Sequence, residues 1–191
     1  MTAFGLVLAA GRSTRFGGAN KLLAPLDGPP VAAHVARAMG GVRLAHRAVV
    51  TAEPAVAALF GGFEVLSPRG GPRDQASSLA LGVDRARALG ADRLLIALAD
   101  MPLVTTDLLT AVLDRCTTDR PSAASDGRRR CPPACFPQPV FPALAALRGD
   151  HGARALLAAL PAEAVIAAPP QILVDIDTRQ DLERALAALR R

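Results

Sequence analysis

An α/β fold, with a mostly parallel sheet and helices on both of its faces, is what this sequence predicts. Short β-like runs alternate with helical patterns from end to end, which is the signature of that layered architecture. The run Arg93 to Ala99, RLLIALA, is almost continuously apolar and of strand length, as expected of a strand covered on both faces. No repeat, low-complexity tract or linker interrupts the 191 residues, so residues 1–191 are expected to form a single domain.

The elements follow in order. Phe4 to Ala9 is the first strand, and Pro30 to Met39 is a helix with proline at its start. Ala48 to Thr51 and Glu64 to Leu66 are the next strands, separated by a short helix over Pro54 to Leu59. Ser77 to Leu89 carries apolar or small residues at helical spacing, and Arg93 to Ala99 is expected to be the central strand. Asp100 stands at its carboxyl end, where Pro102 blocks continuation before a helix over Thr105 to Cys116. Ala123 to Phe136, rich in Arg and Pro, fits a hairpin or an edge strand. Gly152 to Leu160 and Asp181 to Leu189 read as helices, with strands at Ala164 to Ala167 and Ile172 to Ile176 between them. Thr178 and Asp181 are spaced as an N-terminal cap with its acidic third residue.

Hydrophobic residues make up 51% of the chain and charged residues 20%, which excludes a disordered chain. No apolar run reaches the ~18 residues of a membrane span. No positive charge precedes the apolar N-terminus, unlike a signal peptide, so it reads as a buried strand. Cys116, Cys131 and Cys135 form no disulfide framework, and a cytoplasmic location is expected. A net charge of +5 would suit nucleic acid, but the arginines are scattered except at Arg128 to Arg130, and aromatics are only 3%. A small polyanionic ligand accounts for the excess, and neither nucleic acid nor a membrane is an expected partner. Among the 22 basic side chains, Lys21 is the only lysine, and neighbouring Asn20 is the only asparagine. Lysine and arginine are not interchangeable at ligands, so Lys21 marks a position that needs a compact ammonium.

Lys21 closes a glycine-rich, cationic segment that follows the first strand, Leu8-Ala-Ala-Gly-Arg-Ser-Thr-Arg-Phe-Gly-Gly-Ala-Asn-Lys-Leu-Leu23. Ligands of parallel sheets bind beyond the carboxyl ends of the strands, where this segment falls. Its glycines let backbone N–H groups approach phosphate oxygens, and Arg12, Arg15 and Lys21 supply the neutralising charge. The Walker pattern fails at Phe16 and the dinucleotide fingerprint fails at Ser13.

The segment closely resembles the opening signature of the MobA-like nucleotidyltransferase superfamily. The resemblance continues in the family's order through Ser77-Ser78-Leu79, Ala99-Asp-Met-Pro-Leu103, Gly149-Asp-His-Gly-Ala-Arg154 and Asp175-Ile-Asp-Thr178. It implies a Rossmann-like three-layer α/β/α domain of the nucleotide-diphospho-sugar transferase type. Within the superfamily the chain looks most like the molybdenum cofactor cytidylyltransferases, because Ala10 stands where the guanylyl branch usually has glycine. The implied reaction moves CMP from CTP to the phosphate of molybdopterin bearing molybdenum, with release of pyrophosphate. A molybdoenzyme or its chaperone would receive the product.

The resemblance implies that Asp100 binds Mg2+, a hard dication suited to a carboxylate with triphosphate oxygens. Asp177 is a second candidate ligand, though it serves equally to shape the turn into the following helix; a strand through it would put Asp175 and Asp177 on one face. Arg15, Lys21 and Asp100 are the expected catalytic residues. Leu8, Ala9, Ala10, Gly11, Arg12, Ser13, Ser77 and Ser78 are expected around the nucleotide, with N-capping the alternative role for the two serines. Asp150, Gly152 and Arg154 are implied on the acceptor side, and Arg128 to Arg130 offers three guanidinium groups for a phosphorylated acceptor. Another phosphorylated acceptor, GTP, or a non-catalytic cofactor-delivery role are the alternatives.

Overall fold

The computed structural model describes residues 1–9, 16, 20–68, 75–148 and 152–190, with backbone alone at 152–154. One seven-stranded sheet runs in the order β3-β2-β1-β4-β6-β5-β7. Its strands are β1 (Ala3–Leu8), β2 (His46–Val50), β3 (Glu64–Leu66), β4 (Arg93–Leu98), β5 (Ser122–Ser125), β6 (Arg130–Pro137) and β7 (Val165–Ala167). Pairs β1-β2, β1-β4, β2-β3 and β5-β7 are parallel, and β6 runs antiparallel to both of its neighbours. The apolar run Arg93–Leu98 is the fourth of the seven strands, the central position its sequence predicts.

Helices α1 (Val31–Gly40), α2 (Pro54–Ala57), α3 (Gln75–Ala88), α4 (Thr106–Arg115), α5 (Phe141–Ala145), α6 (Gly152–Ala158) and α7 (Arg179–Leu189) complete the fold. Side chains alternate across a strand, so β1 feeds two cores. Phe4, Leu6 and Leu8 pack with Leu79 and Val83 of α3 and Phe141 and Leu144 of α5. Val7 packs on the other face with Val35 and Met39 of α1 and Leu109 and Val112 of α4. Each fully buried side chain of this size contributes ~1.5–3 kcal/mol by leaving water. The result is the three-layer α/β/α arrangement.

Four local readings change. The segment 123–136 is a hairpin, but β6 lies inside the sheet between β4 and β5 rather than at an edge. Its prolines are tolerated because Ala124 pairs with Cys131 while Ala123 pairs with Ala134, which leaves Pro132 and Pro133 in a bulge outside the ladder. The strand expected over Ile172 to Ile176 is a 3-10 turn, Pro170–Leu173, followed by irregular extended chain. Pro169 and Pro170 fix the backbone at the start of this turn. Ser77 and Ser78 lie within helix α3 (Gln75–Ala88), so neither caps it. Helix α5, with Pro142 in its first turn, is an element the sequence pattern does not announce.

A third apolar cluster joins the ends of the chain: Phe16, Leu26 and Val31 meet Ile176 and Ala185. It packs the chain around Lys21 against the segment that leads into α7. Thr178 caps α7 through a reciprocal box with Asp181, as the spacing predicts.

Candidate active site

Strands β1 and β4 end level with each other, Leu8 opposite Leu98, and Ala99 N–H donates to the Leu8 carbonyl at 3.0 Å. Asp100 follows at the carboxyl edge. Two independent local devices bring partners to it. Asn20 Oδ1 accepts from Leu22 N–H at 3.0 Å, capping the 3-10 turn Lys21–Leu23 and fixing the root of the lysine side chain. Ile176 N–H donates to the Asp100 carbonyl at 2.8 Å, which ties the segment carrying Asp177 to the end of β4.

The Lys21 ammonium therefore lies 2.8 Å from Asp100 Oδ2 and 2.7 Å from Asp177 Oδ1. Lys21 is 5% exposed, and an ammonium so far from water is held only where carboxylates compensate it. Burial acts to lower the Lys21 pKa, but Asp100 and Asp177 outweigh it and hold the ammonium above its ordinary value. Burial pushes the Asp100 carboxyl above its ordinary value, an effect that Lys21 opposes and Asp175 reinforces. Asp175 and Asp177 flank buried Ile176 yet reach different partners: Asp175 lies 3.6 Å from the Arg129 guanidinium.

A hard cation fits this carboxylate pair. Asp100 Oδ1 is buried and has no hydrogen-bond partner among the described residues, which leaves one oxygen of the buried carboxylate for a ligand. Among the described residues no group of three or more His, Cys, Asp or Glu side chains forms a full metal cage. A dication at Asp100 and Asp177 would complete its shell with triphosphate oxygens and water, as Mg2+ does.

Beside the cluster opens a cavity of about 870 Å³. Leu98, Met101, Leu157 and Leu173 give it apolar walls, while Arg128, Arg129, Arg130 and Asp175 supply charge. Arg128 and Arg129 stand in the turn of the β5-β6 hairpin and Arg130 opens β6; Asp126 accepts from the N–H groups of Arg128 and Arg129 at 2.8 Å each. Cys131 lines the same cavity, and burial pushes its thiol up to about 11.

Of the residues singled out from the sequence, Lys21, Asp100 and Asp177 meet. Leu8 and Ala9 are buried at the end of β1 beside them. Ser78 is buried in the first turn of α3 and Ser77 half-buried next to it. Ala10, Gly11, Arg12, Ser13, Arg15 and Asp150 lie outside the described residues, while Gly152 opens α6 and Arg154 belongs to its backbone. The sequence suggests Lys21 as a phosphate ligand; in the structure its ammonium also contacts the Asp100 and Asp177 carboxylates. Gln75, Met101 and the Arg129–Asp175 contact at the cavity were not foreseen, since no local spacing connects them.

The fold is of the nucleotide-diphospho-sugar transferase type. Rv0371c from Mycobacterium tuberculosis H37Rv superposes with a TM-score of 0.84 at 26% identity, over 97% of both chains. Its complex with manganese superposes with a TM-score of 0.81 at 25% identity, over 98% of this chain and 100% of that one. The MobA-like NTP transferase domain matches residues 5–165, and the chain belongs to this family. Purine catabolism protein PucB of Bacillus subtilis is 31% identical over 199 aligned residues, covering 97% of this chain and 96% of the relative. A molybdenum cofactor guanylyltransferase of Cereibacter sphaeroides is 31% identical over 196 residues, covering 100% and 99%. The protein is thus a nucleotidyltransferase of the MobA-like family. No helix among the described residues is long and apolar enough to cross a membrane.

Proposed function

We propose that residues 1–191 act as one cytoplasmic, Mg2+-dependent nucleotidyltransferase domain that transfers CMP from CTP to the phosphate of the molybdenum-pterin cofactor. The observation that carries this reading is the meeting of Lys21 with Asp100 and Asp177 at the carboxyl edge of β1 and β4, beside an arginine-rimmed cavity.

Asp100 and Asp177 would hold the metal. When bound, it would supply Lewis-acid charge neutralisation at the triphosphate. Leu8 to Ser13, with Ser77 and Ser78 at the start of α3, would surround the nucleotide. Arg15 and Lys21 would neutralise the triphosphate, and Lys21 would follow the charge that develops on departing pyrophosphate. An acceptor phosphate oxygen forms a bond to the α-phosphorus while the bond from that phosphorus to the bridging β-phosphate oxygen breaks, the electron pair leaving with pyrophosphate. A phosphate monoester, with a second pKa of ~6, is already mostly dianionic at neutral pH, so no general base is required. Positioning and charge neutralisation do the catalysis. Asp150, Gly152 and Arg154 would meet the acceptor, with Arg128 to Arg130 at the cavity. A molybdoenzyme or its chaperone would take the product.

Ala10 supports cytosine. A second reading, GTP as donor, is favoured by the guanylyltransferase named among the relatives. Pyrophosphate release measured for each nucleotide against molybdopterin and simpler phosphorylated acceptors tests both. CTP with molybdopterin should be the most active pair, and silence with every pair would defeat the proposal.

A further inference from the structure

We propose that Lys21 is the resident cation of the carboxylate pair and that the pair exchanges it for a dication only when a triphosphate is there to receive the ammonium. Metal and nucleotide would then bind synergistically, each weakly alone. The inference rests on Asp100 and Asp177 being the metal carboxylates, and it adds the order in which the site fills.

Lys21 bridges one oxygen of each carboxylate, at 2.8 and 2.7 Å, so its ammonium occupies the space between the two groups that a shared dication needs. Asp100 Oδ1 remains as a buried oxygen with no hydrogen-bond partner among the described residues, so the pair retains capacity for a second cation. Charge prevents simple addition. A dication added with Lys21 in place would sit against the ammonium on the same two carboxylates, a like-charge contact in a site where Lys21 is buried. The lysine must therefore leave, and its burial makes leaving costly without a new anion.

A triphosphate is such an anion. Lysine suits the exchange because its compact ammonium sits on a flexible four-carbon stem, whereas the arginine fork would lock onto a carboxylate bidentately. This is the one basic position in an arginine-dominated chain where lysine stands. Linkage then requires that the nucleotide raise metal affinity by the same factor as the metal raises nucleotide affinity.

The chain's single lysine makes a direct test possible, because protein labelled with heavy nitrogen at lysine gives one side-chain ammonium resonance. Mg2+ alone should leave that resonance near its metal-free position, and Mg2+ with CTP, without acceptor, should move it. In parallel, Mn2+ affinity is measured by electron paramagnetic resonance. Lys21→Met should bind Mn2+ alone about 10-fold or more tighter than wild type, and CTP should strengthen Mn2+ binding less in the variant. Equal or weaker Mn2+ binding by Lys21→Met, with binding abolished in Asp100→Asn, would overturn the exchange and leave the metal reading standing. Unchanged Mn2+ affinity in both Asp100→Asn and Asp177→Asn would remove the metal reading and the exchange together. Should Lys21→Met fail to fold, the wild-type resonance decides: one that stays put at saturating Mg2+ and CTP overturns the proposal.

Discussion

The backbone N–H of Ile176 donates to the carbonyl of Asp100 at 2.8 Å, and this bond between distant parts of the chain places Asp177 beside Lys21. Ile176 is itself fully buried in the cluster with Phe16, Leu26, Val31 and Ala185. The site is therefore assembled by the fold's last segment docking on its first and central strands.

Removing the ammonium should damage turnover far more than folding alone explains. Lys21→Ala is expected to lower kcat/KM by about 10²–10³, the range for loss of one preorganised charge contact. Steady-state pyrophosphate release, compared with thermal unfolding of the same preparation, separates catalysis from stability.

The ion pair also predicts a pH signature. Lys21 is held above its ordinary value, so its contribution to stability is fully present below that value and lost as the pH rises through the raised one. Asp100 behaves oppositely to a stabilising carboxylate: its folded pKa is raised, so stability falls as the pH climbs from the unfolded value through the folded one. Lys21→Met deepens that fall by leaving the buried Asp100 charge without its ammonium, costing ~3 kcal/mol near neutral pH. Urea midpoints should show the deficit of the variant shrinking as the pH falls and Asp100 takes up a proton.

How much of this was legible in the sequence depends on distance along the chain. RLLIALA marked the central strand because apolarity on both faces is a local property, and Thr178 with Asp181 marked the α7 cap because capping is local too. Lys21 and Asp100 stood out individually, but they are 79 residues apart, and Lys21 and Asp177 are 156 apart. No periodicity reports such a pairing, so the sequence offers Lys21 as a phosphate-ligand candidate without showing its two carboxylate partners. The prolines of β6 misled for a different reason: a bulge at Pro132 and Pro133 lets an interior strand carry residues that would otherwise signal an edge.

The α7 cap gives an acid-side prediction. Burial alone would raise the Asp181 carboxyl, but the bonds from the Thr178 side chain and from the Thr178 and Asp177 N–H groups outweigh it and hold it below its ordinary value. Its contribution is thus present above the ordinary carboxylate pKa and lost as the pH falls through the depressed one. Asp181→Ala should cost ~1 kcal/mol at neutral pH and progressively less in acid, read from paired denaturation curves.

Gly82 tests the packing of α3 on β1. A Cβ there would collide with the side chain of Leu6, which is fully buried in the sheet. Gly82→Ala should destabilise by ~1–3 kcal/mol despite the better helix propensity of alanine, lowering the urea midpoint with little change in slope.

Cys131 should be chemically quiet although it lines the cavity. Its thiol is pushed up to about 11 by burial, and the thiolate is the reactive form. Iodoacetamide labelling followed by peptide mass spectrometry should find Cys131 almost unmodified near neutral pH, with modification rising steeply in alkali.

Lys21, Asp100 and Asp177 are proposed as the catalytic centre of a nucleotidyl transfer to a phosphorylated acceptor. This is tested most directly with CTP labelled at its α-phosphate, incubated with Mg2+, molybdopterin and either the wild-type chain or Asp100→Ala. Wild type should transfer label to the acceptor with stoichiometric pyrophosphate, and Asp100→Ala should transfer it at least about 10²-fold less. Label transfer that persists undiminished in the folded variant would contradict it.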